Sequence, residues 1–545
     1  MLMKYFPRTK WLASRQTPSS RVQFSSAHRP SGLARFVVVA VFFLSAPLLV
    51  ALTVTHQPTF AAVLCILIAI LIALLPRQDA LWRYFLLVAF IATMSGQLGK
   101  YFGHSLLSTF VIEDVLCLFL SIILLFSFLS KRHTRIHLPL PLLAVLAYGF
   151  TMICSTLLLL SRSEPDGLYK FWYHLLTSEY RRPIITAITA FTLAAFSYSQ
   201  ASTFPRILTL TRLLLAGSLL VSGLAISEYL LRDTYYRFYL TLFGSTDEVS
   251  LRIARALYFR RAFGTFSSGP TLAAWLVLFT PLALYGIFMG RNTYRRLYNL
   301  ISILILTTGI FVTGSRAPLA ALIAILFLYP WMLGNLKSAL AATSLLSIAL
   351  VLLILYGPNA ARLLPENNLL ERVFSPREGS ITATLEKRQE VWVEAFEKFR
   401  DNPVFGVGPD QFRKLKLMRE VPNPNRLDSA HSGYLQTLAE LGYAGAMTGL
   451  LVIVSALVCG FIVVRRLTLG EYRGLAAALY CSIIALFVTG ITEPAFTLNR
   501  NFYVFTICLG LLLRFHGLAQ VHVGRPCSEE RFRNLEQRED YLAVH

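Results

Sequence analysis

The residues best suited to chemistry in this chain are one histidine and three arginines, each set in a short polar motif. His431 stands in Asp428-Ser429-Ala430-His431-Ser432-Gly433-Tyr434, and Arg261 opens Arg261-Ala262-Phe263-Gly264-Thr265-Phe266. Arg316 closes Thr313-Gly314-Ser315-Arg316, and Arg388 begins the stretch that runs to Trp392. A guanidinium fork matches phosphate bidentately and can stabilise charge growing on a leaving diphosphate without a metal. Histidine titrates in the range where it can take a proton from a hydroxyl. Asp428, three residues before His431, could hold the imidazole on a helical turn, or could serve as a helix N-cap. Tyr434 is a second supporting candidate. The chain has no Asp-x-Asp pair to bridge a metal to a diphosphate, so no metal and no cofactor is expected.

These motifs sit in a chain that must lie in a membrane. Of its 545 residues 55% are hydrophobic and only 15% charged, against about a quarter charged in soluble proteins. So few charges cannot cover a soluble surface of this size, and the apolar excess rules out disorder. The fold class expected is all-α, a polytopic membrane helix bundle. Apolar runs of spanning length fall near 36–55, 58–75, 80–96, 107–130, 139–160, 183–199, 206–228, 270–289, 298–313, 317–333, 338–356, 442–464, 473–489 and 499–514. Because 58–75 and 80–96 are short and closely joined, the count is about 12–14 transmembrane helices. The seven cysteines show no CxxC or Cys/His ligand spacing, so neither a disulfide framework nor a zinc site is indicated.

The net charge of +22 reads as topology rather than as a nucleic-acid footprint. Residues 1–35 hold seven Lys and Arg and no acid, which places the N-terminus in the cytoplasm; a transit-peptide reading is weaker, since the first span follows directly. Alternation then puts every short basic connector on that same side. The organisation expected is a basic segment 1–35, N-terminal spans 36–228, central spans with an Arg-rich outward loop 229–356, a long periplasmic loop 357–441, C-terminal spans 442–514 and a cytoplasmic tail 515–545. Within the long loop, 386–400 reads as an amphipathic helix with Val391, Ala395 and Phe399 on one face. Asn402-Pro403 ends it, a turn follows at Gly406 to Pro409, and a helix opening near His431 runs into the next span. Glu113 and Asp114 fall in an apolar run, where acids are costly; structural pairing is the favoured reading over a proton path. His133 and His137 have helical spacing but sit in a short basic connector.

The four motifs, with Asn402-Pro403-Val404-Phe405-Gly406-Val407-Gly408 and Glu440-Leu441-Gly442, all fall on the outward side. In order, spacing and shared side they resemble the O-antigen ligase and polysaccharide polymerase family of bacterial inner membranes, over roughly 255–450. That resemblance implies a metal-independent, inverting glycosyltransferase that moves a glycan from a polyprenyl-diphosphate carrier to a hydroxyl of lipid, glycan or protein. It implies His431 as catalytic residue, Arg261 and Arg388 as ligands of the donor diphosphate, and Arg316 as a further substrate-binding residue. It also implies a multi-pass inner-membrane protein whose site faces the periplasm, with membrane lipids as partners and no nucleic acid. Ser432 stands where the family usually has Asn, and Ser267-Ser268-Gly269-Pro270 where it often has an Asn-Pro-Asn-like stretch. The rival reading is a transporter or flippase of anionic lipid-linked glycan, which should show broken helices in paired halves.

Overall fold

The computed structural model describes residues 138–163, 181–201, 203–243, 261–266, 268–290, 292–334, 381–412, 429–468, 470–494 and 499–523, with isolated positions between them. All belong to one compact unit, Leu81–His545. The described residues form helices and no strand. In chain order these are α1 Leu140–Ser163, α2 Arg181–Gln200, α3 Phe204–Leu230, α4 Arg232–Phe243, α5 Gly269–Val277 and α6 Thr280–Met289. They continue as α7 Thr293–Val312, α8 Arg316–Met332, α9 Ile381–Asp401, α10 Gly433–Arg466, α11 Gly470–Gly490 and α12 Asn499–Val523. Six segments are long and apolar enough to cross a membrane: α1, α3, α5 with α6, α7, α10 and α11. The chain is an all-α polytopic membrane bundle. The expected spans before residue 138 lie outside the described residues, apart from isolated positions near 82–90.

The span expected at 270–289 is two helices rather than one. Pro281 lacks an amide hydrogen and its ring crowds the carbonyl four residues back, so the ladder breaks at Leu278–Phe279. The helix expected to run into the span at 442–464 begins at Gly433 and bends at Gly442, whose φ of 63° and ψ of −156° are not helical.

Packing falls into two groups joined by α11. One is α1, α2, α10 and α12; the other is α3, α5, α6, α7 and α8. α11 packs on α10 and α12 in the first group and on α5, α6 and α8 in the second. The α11 and α12 faces are accordingly buried nearly all round, from Gly474 to Gly490 and from Arg500 to Leu513. Exposed Leu143, Leu146 and Phe150 on α1, and Met447, Leu451, Val454 and Val458 on α10, are the apolar outer surface that a lipid environment requires.

Short connections make α2 and α3, α6 and α7, α7 and α8, α10 and α11, and α11 and α12 antiparallel. The C-termini of α1, α3, α7 and α11 share one end of the bundle with the N-termini of α2, α5, α8, α10 and α12. Hydrogen bonds across that end, from Ala262 N to Val312 O, from Gly433 N to Glu493 O and from Arg162 Nη1 to Asn402 Oδ1, tie it together. The described residues of the Arg261, Arg316, Arg388 and His431 motifs lie there.

Candidate active site

The Arg261 loop is held from three directions. Below it, the buried carboxylate of Glu228 near the C-terminus of α3 accepts from Phe263 N at 2.9 Å and from Gly264 N at 2.5 Å. Gly264 has φ of +54°, the left-handed region that a residue with a Cβ rarely adopts. Beside the loop, Ala262 N donates to Val312 O at the end of α7, and a Cβ on Gly269 would press against Thr313 O. This seats the loop against the Thr313–Ser315 turn, from which Arg316 emerges exposed as the first residue of α8. On the third side, Phe266 packs against Trp275 and carries the Arg500 guanidinium over its face at 4.3 Å. Ser268 caps α5 by accepting from Thr271 N.

Arg388 lies on α9, whose apolar face packs on the start of α10. Val391 and Ala395 meet Phe412, Ala430 and Ala439 in a buried cluster. One turn beyond Arg388, Trp392 Nε1 donates to Ala430 O at 2.9 Å, the carbonyl just before His431. The structure thus brings the Arg388 helix against the His431 segment.

The Asn402–Gly408 motif is a backbone interlock. Tyr443 N and Ala444 N donate to Pro403 O and Val404 O, while Val407 N and Gly408 N donate to Ala439 O and Glu440 O. These bonds exist because α10 bends at Gly442 and frees its amides and carbonyls there. A Cβ on Gly406 would overlap the Glu440 backbone, and one on Gly442 would overlap Pro403 and Val404. Ser155 on α1 bonds Phe405 O at 2.7 Å. Buried Glu440 takes amide hydrogen bonds from Asp410 and Phe412 and a side-chain bond from Gln436.

His431 has φ of 45°, an unusual value for a residue with a side chain, and it precedes the N-cap of α10. Its Nδ1 is buried and lies 3.7 Å from Oε2 of Glu493, while the side chain as a whole is 20% exposed. Glu493, in the turn after α11, is buried, and its carbonyl accepts from Gly433 N at 3.1 Å. Tyr434 donates its hydroxyl to Phe487 O at 2.8 Å, fastening the first turn of α10 to α11.

The N-cap of α10 is Ser432, which accepts from Leu435 N. Serine is among the favoured N-cap residues, since its hydroxyl accepts from an amide of the first turn. The carboxylate facing the imidazole within the described residues is Glu493; Asp428 lies outside them, as do Glu113, Asp114, His133 and His137. Sequence reasoning missed Glu493, Arg500 and Glu228. The first two are charges at the turn end of the last apolar hairpin, and Glu228 is an acid ending an apolar span. Costly placement of this kind was the available signal.

The site can take a proton on an imidazole backed by a carboxylate and can hold an anion on arginines at the same end. Residues 300–448, which carry Arg316, Arg388, the interlock and His431, match the model of the family described as O-antigen ligase. No curated protein matches the chain. Over residues 300–448, then, the chain is similar to the O-antigen ligase family.

Proposed function

We propose that this chain is a metal-independent, inverting glycosyltransferase that moves a glycan from a polyprenyl-diphosphate carrier to a hydroxyl acceptor. It works in the bacterial inner membrane, with the site at the periplasmic face. The observation that carries the reading is the His431–Glu493 pair at the bundle end where the Arg261 and Arg388 elements also lie. The carboxylate favours the proton on Nδ1, which leaves the Nε2 lone pair to act as base. The acceptor oxygen attacks the anomeric carbon as His431 takes its proton. The bond from that carbon to the diphosphate oxygen breaks, and the electron pair leaves with polyprenyl diphosphate. Arg261 and Arg388 stabilise the charge that grows on it, with Arg316 beside them. Attack opposite the leaving group inverts the anomeric centre.

The test is to incubate purified protein with a polyprenyl-diphosphate glycan and a panel of lipid, glycan and peptide hydroxyl acceptors. Release of polyprenyl diphosphate together with a glycosylated acceptor is expected. Movement of intact lipid-linked glycan across vesicles, with no release, would instead establish the transporter.

A further inference from the structure

Glu228 has no part in the chemistry just described, yet it is built into the site. It lies two residues before the end of α3, 1% exposed, where a carboxylate is costly unless its lone pairs are filled. Oε2 takes both Phe263 N and Gly264 N, and Oε1 takes the hydroxyl of Tyr236 at 2.9 Å. Two successive amides converge on one oxygen, and Gly264, with φ of +54°, then turns the chain left-handed. Tyr236 is itself buried against Phe263, so the acid, the phenol and the loop form one packed unit.

We propose that Glu228 is a positioning residue for the donor diphosphate: it fixes the backbone two residues beyond Arg261 and so holds that arginine in its binding geometry. This rests on the reading of Arg261 as a donor ligand. An apolar residue could fill the same space, but it would orphan two buried amides and let the loop seek other partners. The arrangement has a chemical consequence. The Phe263 and Gly264 amides point at Glu228, so at those positions the anion is held by the arginine side chain and not by a backbone nest.

The experiment compares Glu228→Ala, Glu228→Asp and Glu228→Gln with Arg261→Ala, measuring the dissociation constant for a detergent-soluble polyprenyl diphosphate and the KM and kcat for transfer. Gln can accept both amides on Oε1 and donate Nε2 to Tyr236, whereas Asp keeps the charge but is a methylene too short. Ala and Asp are expected to weaken donor binding and raise KM by roughly tenfold to 10²-fold, with kcat changed less than about threefold. Gln is expected to restore both to within about threefold of wild type. Thermal unfolding identifies any variant that has lost its fold, and Asp is the variant read if Ala does not accumulate. Donor affinity near wild type in folded Ala or Asp variants, with Arg261→Ala weakened, overturns the proposal alone. Unchanged affinity in Arg261→Ala overturns the donor-ligand reading and the proposal with it.

Discussion

His431 Nδ1 lies 3.7 Å from Glu493 Oε2, and the same glutamate accepts Gly433 N through its main chain. One residue of the last hairpin thus meets both the imidazole and the first turn of the helix behind it. Glu493→Gln keeps the main-chain contact and the side-chain shape but removes the negative charge beside the imidazole. Turnover is expected to fall by about 10²-fold or more, with donor affinity unchanged. Unaltered turnover in single-turnover assays would show that the pair has no role in proton transfer.

Replacement of His431 separates a base from a contact. His431→Ala and His431→Gln are each expected to lose roughly 10²–10⁴-fold in transfer rate while binding polyprenyl diphosphate as wild type does. A Gln variant that kept most of its rate would move the base elsewhere, with Asp428 the next candidate.

Arg261→Lys and Arg388→Lys keep the charge and lose the planar fork. Each is expected to weaken donor affinity markedly, at least about fivefold, with normal expression. Titration with a polyprenyl diphosphate reads this directly, and unchanged affinity in both would leave the two arginines as loop structure.

The interlock predicts a stability pattern. Gly406→Ala and Gly442→Ala combine left-handed φ of 68° and 63° with overlap onto backbone atoms. Each should cost more than about 2 kcal/mol, seen as a lower unfolding temperature in detergent. Gly223→Ala, in α3 with nothing within 4 Å of the new Cβ, is the control and should be neutral or slightly stabilising.

Topology is open to cysteine labelling. An impermeant reagent added from the periplasmic side should modify a cysteine placed at Asn423 and miss one placed at Thr468. The reverse pattern would invert the protein and move the site to the cytoplasm.

The sequence by itself determined the all-α membrane class, because that follows from local content: apolar runs of spanning length and too few charges for a soluble surface. It also marked most of α9, over 386–400, and the helix that leads from His431 into the next span, with clear breakers at Pro403 and before Ser429. His431 and the arginines were legible as residue types in recognisable order. Tertiary structure decided what each one faces. Glu493 lies 62 positions after His431 and Glu228 lies 33 before Arg261, and no local pattern encodes such pairings. The role of Asn402–Gly408 was likewise hidden, because its meaning is a set of main-chain bonds to a bend at Gly442, and main-chain partners leave no complementary side chain to read. That Ser432 caps α10 was hidden for a similar reason. Which polar residue caps a helix depends on where the first turn begins, and here the contacts of Gly433 with Glu493 and of Trp392 with Ala430 place that start.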